Sequence, residues 1–484
     1  MDDLFDFLLA RQSGGGGGFA PPVTPKDALL FYSLKEIGIS VANATKNWNG
    51  TLYYSTDYTS WTEWDGTTEI VSSLYNGWHR IFLRGVNNTV ITGGDSKGFA
   101  IRGSSIECKG NCNNLLDYTT SPKLGSGCFY GLFKNCTSLI SVPTLPATEL
   151  AKRCYSNMFV GCSSLTSAPE LPATELTQSC YGTMFVGCSS LASAPELPAT
   201  ELAQECYSYM FGHCTSLTTA PELPATELAK RCYSSMFVGC TSLASAPELP
   251  ATELTEECYS GMFGGCTSLT SAPELPATEL TQSCYGTMFG GCTSLISAPA
   301  LPATKLAYRC YSGMFQNCTS LTTAPELPVT ELAIECYGQM FVNCTSLVSA
   351  PELPATELAE RCYVNMFENC TSLTTAPELP ATELTEECYS GMFGGCTSLV
   401  SVPALPAMEL AVECYFGMFE GCSNIMLSET QGGEYQNEYR VPISGEGVSA
   451  SNALSGMFSN TGGSFTGTPA INTTYYTSNT VINP

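Results

Sequence analysis

The chain has 484 residues, of which 44% are apolar and only 13% charged, and its 19 Lys+Arg against 44 Asp+Glu leave a formal charge of −25. A field of that sign repels phosphate backbones and anionic lipid heads, which excludes nucleic acid and membrane surfaces as expected partners. No stretch approaches the roughly 20 apolar residues of a membrane helix, so membrane insertion is not expected either.

Residues 1–22 read "MDDLFDFLLARQSGGGGGFAPP". Leu4, Phe5, Phe7, Leu8 and Leu9 are apolar, but Asp2, Asp3 and Asp6 stand where a secretory signal would be basic. The segment therefore reads as a short amphipathic docking peptide on the flexible leash Gly14 to Gly18, not as an export signal. Residues 23–120 carry no repeat. Short runs such as "LLFYSL", "TLYYSTD", "HRIFLRGV" and "GFAIRG", separated by Gly, Asn, Asp and Ser, predict a small all-β sandwich.

Residues 121–425 repeat every 26 residues without insertion or deletion. Twelve copies follow the pattern C-Y-x-x-M-F-x-x-C-T-S-L-x-x-A-P-x-L-P-A-T-x-L, with first cysteines from Cys128 and Cys154 to Cys414 and second cysteines eight residues later, from Cys136 to Cys422. Leu176, Cys180, Met184 and Cys188 recur at intervals of four beside Phe185, which predicts one face of a short helix, with Pro172 and Thr174 at its start. "LTSAPELP" then predicts a short extended segment with Leu191, Ala194 and Leu197 inward, its ladder limited by Pro195. The expected fold is thus an α/β repeat solenoid whose rungs stack roughly 4.8 Å apart into a curved rod. Residues 426–484 decay from the pattern, keep Met457 and Phe458 without the cysteines, and read as a C-terminal cap.

The stretch "MFVGCSSLTSAPELPATELTQSCYGTMFVGC" resembles the BspA-like leucine-rich repeats of gut Bacteroidetes surface proteins and of phages that infect them. "LYYSTDYTSWTEW" followed by "HRIFLRGVNN" is similar to the β-domain that often precedes such arrays, and the opening residues resemble the N-terminal tags of phage tail and virion proteins. The resemblance implies binding, adhesion and host interaction, and brings no catalytic residues with it.

The cysteines fall on the predicted apolar face, where free cysteine packs as a small hydrophobe, so buried reduced thiols are expected over disulfides. Cys108 and Cys112 form one Cys-x-x-x-Cys pair without a second half, so no zinc site is expected. His79 and His213 are the only histidines and read as scaffold, not as partners of a nucleophilic cysteine. "LPATE" has neither the apolar stretch nor the basic tail that a sortase signal needs after it. Glutamates recur in "PEL" (Glu170, Glu196) and in "TEL" (Glu175, Glu201), giving acidic ladders that would serve as a solvated face, bind calcium or meet a basic partner; Ala300, Lys305 and Ala404 interrupt them.

The sequence thus points to a binding protein without catalytic, metal or cofactor residues. The expected contact positions are Ser167, Glu170, Ser193, Glu196, Thr219, Glu222, Ser245, Glu248, Ser271 and Glu274. The expected setting is a phage virion, in its tail or on its capsid, with the N-terminal peptide docked on another virion protein and the repeats facing a host surface glycan or protein. A structural spacer, a bacterial cell-surface adhesin and a homo-oligomer remain alternatives.

Overall fold

A computed structural model describes residues 20–42, 46–92 and 98–483. The predicted docking residues Leu4, Phe5, Phe7, Leu8 and Leu9 lie outside these. The chain divides into two compact units, Met1–Pro224 and Ala225–Pro484.

The first unit opens with β-structure. Strands β1 (Leu29–Ser33), β2 (Gly38–Val41), β3 (Thr51–Ser55), β4 (Thr62–Glu63), β5 (Ile70–Val71), β6 (Ser73–Tyr75), β7 (Trp78–Val86), β8 (Phe99–Arg102) and β9 (Ile106–Lys109) precede the repeats, and β10 (Leu139–Ser141) belongs to the first of them. The order β10-β9-β1-β7-β3-β4, with β6 beside β7, forms a seven-stranded sheet, while β5-β2-β8 form a separate three-stranded one. The β6–β7 hairpin turns at Asn76 and Gly77, both at positive φ, as an Asn-Gly pair favours. The larger sheet continues into the repeats because β10 pairs parallel with β9. Phe31 of fully buried β1 meets Phe133 of the first rung at 6.2 Å, so the β-region closes one end of that unit's aromatic column.

The predicted helix in each rung is absent: among the described residues no α-helix forms, and the one helical segment is the four-residue 3₁₀ turn Cys112–Leu115. In its place runs a ribbon of tight turns. Cys154, Ser156, Met158, Val160 and Cys162 donate their N–H groups three residues back, to Ala151, Arg153, Tyr155, Asn157 and Phe159. The residues between them donate instead to the next rung: Tyr155 N–H to Cys180 O at 3.0 Å, Asn157 to Gly182 at 3.1 Å and Phe159 to Met184 at 2.9 Å. Every fourth residue is left-handed, with φ of 57° at Arg153, 59° at Asn157 and 72° at Gly161. The same three slots are left-handed in the other rungs, as at Arg309, Gly313 and Asn317. The spacing of Leu176, Cys180, Met184 and Cys188 is therefore a true period of four. Over these thirteen residues it departs from a helical 3.6 by only about one position, which is why it imitates a helix.

The ribbon buries Cys-Tyr, leaves the next two residues mostly half-buried, buries Met-Phe, leaves two more mostly half-buried, and buries Cys again. Like rings stack on like along each unit. In the first unit Tyr155, Tyr181 and Tyr207 lie 5.8 and 5.9 Å apart, and Phe159 and Phe185 5.5 Å apart. In the second, columns run from Tyr233 to Tyr415 and from Phe237 to Phe419 with interplanar angles of 10° or less. Each such pair adds about 0.5–1.5 kcal/mol beyond the area it buries.

The predicted extended segment is present but short. Leu191 and Leu197 are buried, Ala194 is half-buried, and rungs meet in single-residue parallel bridges such as Ser193 to Thr219 and Ser271 to Ser297, because the following proline has no N–H to extend the ladder.

The second unit ends in β11 (Ser401–Pro403), β12 (Met426–Ser428), β13 (Asn437–Arg440), β14 (Gly462–Gly463), β15 (Thr474–Thr477) and β16 (Thr480–Ile482). β16 returns to pair parallel with β11. Phe458 joins the phenylalanine column 5.4 Å from Phe419, and Tyr439 then packs edge-on against it at 88°. A perpendicular ring offers no parallel face for another rung, so it ends the column.

Candidate functional site

The thiols show which chemistry is closed to this protein. All 26 cysteines are free and fully buried. The second cysteine of most rungs donates its S–H to the phenylalanine carbonyl of the preceding rung, as from Cys188 to Phe159 O at 3.2 Å and from Cys370 to Phe341 O at 3.1 Å, while Cys136 of the first rung donates to Phe99 O at 3.2 Å. Burial pushes the Cys180, Cys284 and Cys388 thiols up to about 11 and those of Cys232 and Cys336 to about 12, far from the thiolate that nucleophiles and metal ligands require. Among the described residues no group of three or more Cys, His, Asp or Glu is placed to hold a metal ion. His213 fills a left-handed slot and meets the Tyr209 hydroxyl at 2.9 Å. His79 Nδ1 lies 3.2 Å from Ser72 Oγ, but that hydroxyl also accepts the Ile37 N–H at 2.8 Å, so it ties strands together. No helix among the described residues is long and apolar enough to cross a membrane.

The predicted contact residues are all at the surface. Ser167, Glu170, Ser193, Glu196, Thr219 and Glu222 are exposed on the first unit, and Ser245, Glu248, Ser271 and Glu274 on the second. The "TEL" carboxylates face one another across rungs, with Glu175 bridged to Glu149 and Glu201, and Glu357 to Glu331 and Glu383. Of these glutamates, Glu149 borders a hollow in the first unit.

Two clefts lie on the turn ribbons. In the first unit a cleft of about 380 Å³ is bordered by Arg153, Asn157, Ser179, Thr183, Glu205 and Ser208. In the second unit the same slots form a cleft of about 350 Å³ around Ser260, Thr287, Arg309, Ser312, Glu335 and Arg361, with Gly286 and Gly338 on its floor. A third hollow, of about 530 Å³, separates Asn111–Asn114 from Pro146–Leu150 in the first unit.

One wall of each cleft is the residue before the first cysteine, held at positive φ. In the first unit Ser179 donates to Glu205 Oε2 at 3.0 Å. In the second, Glu335 takes Arg309 on one side and Arg361, at 3.7 Å, on the other, and Arg361 also reaches Glu387 at 3.2 Å. The Glu335 hydrogen bond raises the Arg309 guanidinium above its ordinary value. Of the Lys and Arg residues between 137 and 422, Lys152, Arg153, Lys230, Arg231, Arg309 and Arg361 occupy this slot or the one before it, and Lys305 alone stands elsewhere. Sequence reasoning passed over these positions as variable. The signal was there in the run Arg153, Ser179, Glu205, Arg231, Glu257, Ser283, Arg309, Glu335, Arg361, Glu387, in which like charges are never adjacent at the repeat spacing until Glu413 follows Glu387.

A model of the BspA type leucine-rich repeat region, comprising six copies, matches residues 111–244, 154–296, 231–374 and 308–429. No curated protein matches the chain.

Proposed function

We propose, for a chain that belongs to the BspA type leucine-rich repeat family, a non-enzymatic role in binding and adhesion. The observation that carries this reading is repetition at the surface: outward positions recur every 26 residues in equivalent surroundings, while the cysteine thiols of each rung are buried. Equivalent weak contacts along a stack add through avidity, since each later contact forms at high effective concentration. The protein is placed on a phage virion, as a tail or capsid-associated component docked by its N-terminal peptide, and contacts a host surface glycan or protein; support for this setting is the resemblance of its opening residues and repeats.

Two measurements test it. Mass spectrometry of purified virions should find the chain; its absence there and presence in bacterial surface fractions would move it to the cell surface. Binding of the full chain to host cells should fall steadily as whole 26-residue rungs are deleted. A purely structural spacer, favoured by the rung-to-rung hydrogen bonding within each unit, would keep its binding and change only its reach.

A further inference from the structure

We infer that the turn-ribbon cleft of the second unit is a binding groove for a neutral, extended glycan lying across successive rungs; this rests on the binding role proposed above and names its site and ligand class. The cleft recurs in both units at equivalent repeat slots, one wall of ionic side chains and a floor of Gly, Ser and Thr. Its chemistry selects among ligands.

An anionic chain is disfavoured because Arg309 and Arg361 already share Glu335, and because the protein as a whole carries −25. A cationic ligand gains more from the exposed glutamate rows, where Glu331, Glu357 and Glu383 face one another, than from a wall already neutralised by its own arginines. An extended peptide would need free backbone edges to pair with, yet ribbon N–H groups such as those of Thr287, Gly313 and Gln339 are committed to Ser312, Gly338 and Val364 of the next rung. A sugar chain needs none of these. Its hydroxyls both donate and accept, which matches alternating guanidinium, carboxylate, hydroxyl and amide groups, and its ring faces are weakly apolar. Val364 supplies an apolar side chain to the cleft lining, and the exposed Tyr308 and Ile334 immediately precede Arg309 and Glu335 in the chain.

The protein itself indicates how to close the groove without unfolding the rung. Phe416 stands at the slot that Ser312 occupies four rungs earlier, is 42% exposed, and leaves the Tyr389–Tyr415 stacking at 5.8 Å. Ser312→Phe therefore fills the second unit's cleft with a side chain the scaffold accepts.

The test is affinity electrophoresis of the full chain through gels containing soluble mannan, dextran or laminarin as neutral probes and alginate as the anionic comparator, with cell binding measured alongside. At least one neutral probe should retard the wild type and alginate should not. Ser312→Phe, and separately Arg309→Gln with Glu335→Gln, should weaken retardation at least tenfold at an unchanged melting temperature, whereas Glu274→Gln on the open row should leave it intact. The inference is overturned if no neutral probe retards the chain, if Ser312→Phe binds like wild type, or if alginate is preferred. Host-cell binding that persists in such a case leaves the adhesion role standing, and a chain that binds neither cells nor glycans loses both.

Discussion

The Cys344 thiol donates to the Phe315 carbonyl of the preceding rung at 3.1 Å, while the same carbonyl accepts the Cys318 N–H of its own rung at 3.0 Å. The second cysteine is thus a core side chain with a directional role, since it occupies the other lone pair of a buried carbonyl. Cys344→Ala should cost about 1–2 kcal/mol, from a small cavity and a lost weak hydrogen bond, and urea unfolding measures it. A cost below 0.5 kcal/mol, on the order expected for an exposed site, would show that the contact contributes nothing.

The buried thiols also set an alkaline limit. Well below the ordinary thiol value of 9.0 they are protonated in both the folded and the unfolded chain. Above it the unfolded chain releases protons that the folded chain keeps up to about 11 at Cys180 and about 12 at Cys336, so stability falls as pH rises through that window. Each such thiol contributes up to about 1.4 kcal/mol per pH unit, and the slopes of many add. Circular dichroism should show steep unfolding between pH 9 and 11, with few thiols reacting at pH 8 until denaturant is added.

Gln339 distinguishes a turn ribbon from a helix. It is exposed at φ 59°, in the slot that the preceding rung fills with Gly313, the next with Asn365 and the one after with Gly391. Gln339→Gly should be more stable than Gln339→Ala by about 1 kcal/mol, because alanine retains the left-handed penalty that glycine lacks. A helical ribbon would give the opposite order, so thermal melts of the two variants decide the matter.

The acidic row of the second unit repels itself. Glu357 lies between Glu331 and Glu383, whereas Lys305, in the equivalent slot, pairs with Glu279 at 3.4 Å. Glu357→Lys should stabilise by a few tenths of a kcal/mol at low salt, roughly the worth of an exposed pair, and the gain should shrink in 0.5 M NaCl as screening shortens.

Register governs whether a shortened stack folds. Deleting residues 284–309 removes one full period and rejoins Ser283 to Cys310, so every remaining rung keeps its donors opposite acceptors. That variant should melt cooperatively a few degrees lower, in line with loss of one repeat and its interface. Deleting residues 284–296 sets the ribbon of one rung against the extended segment of the next, and should abolish folding.

The sequence by itself determined the period, the burial of Cys, Tyr, Met and Phe in each rung, the β-rich start and the atypical end, because all of these depend on which side chains must leave water and how often they recur. It misassigned the ribbon, since four-residue and 3.6-residue spacings scarcely separate over thirteen residues and the difference lies in backbone angles at Arg153, Asn157 and Gly161. Only the tertiary structure decided where the alternate N–H groups go, namely to the next rung, and that choice is what brings Arg309, Glu335 and Arg361 into contact although they stand 26 residues apart. A pairing made by stacking has no local signature in any one copy. The variable residue before each first cysteine acquires a partner, and a cleft beside it, only when its own rung lies against another.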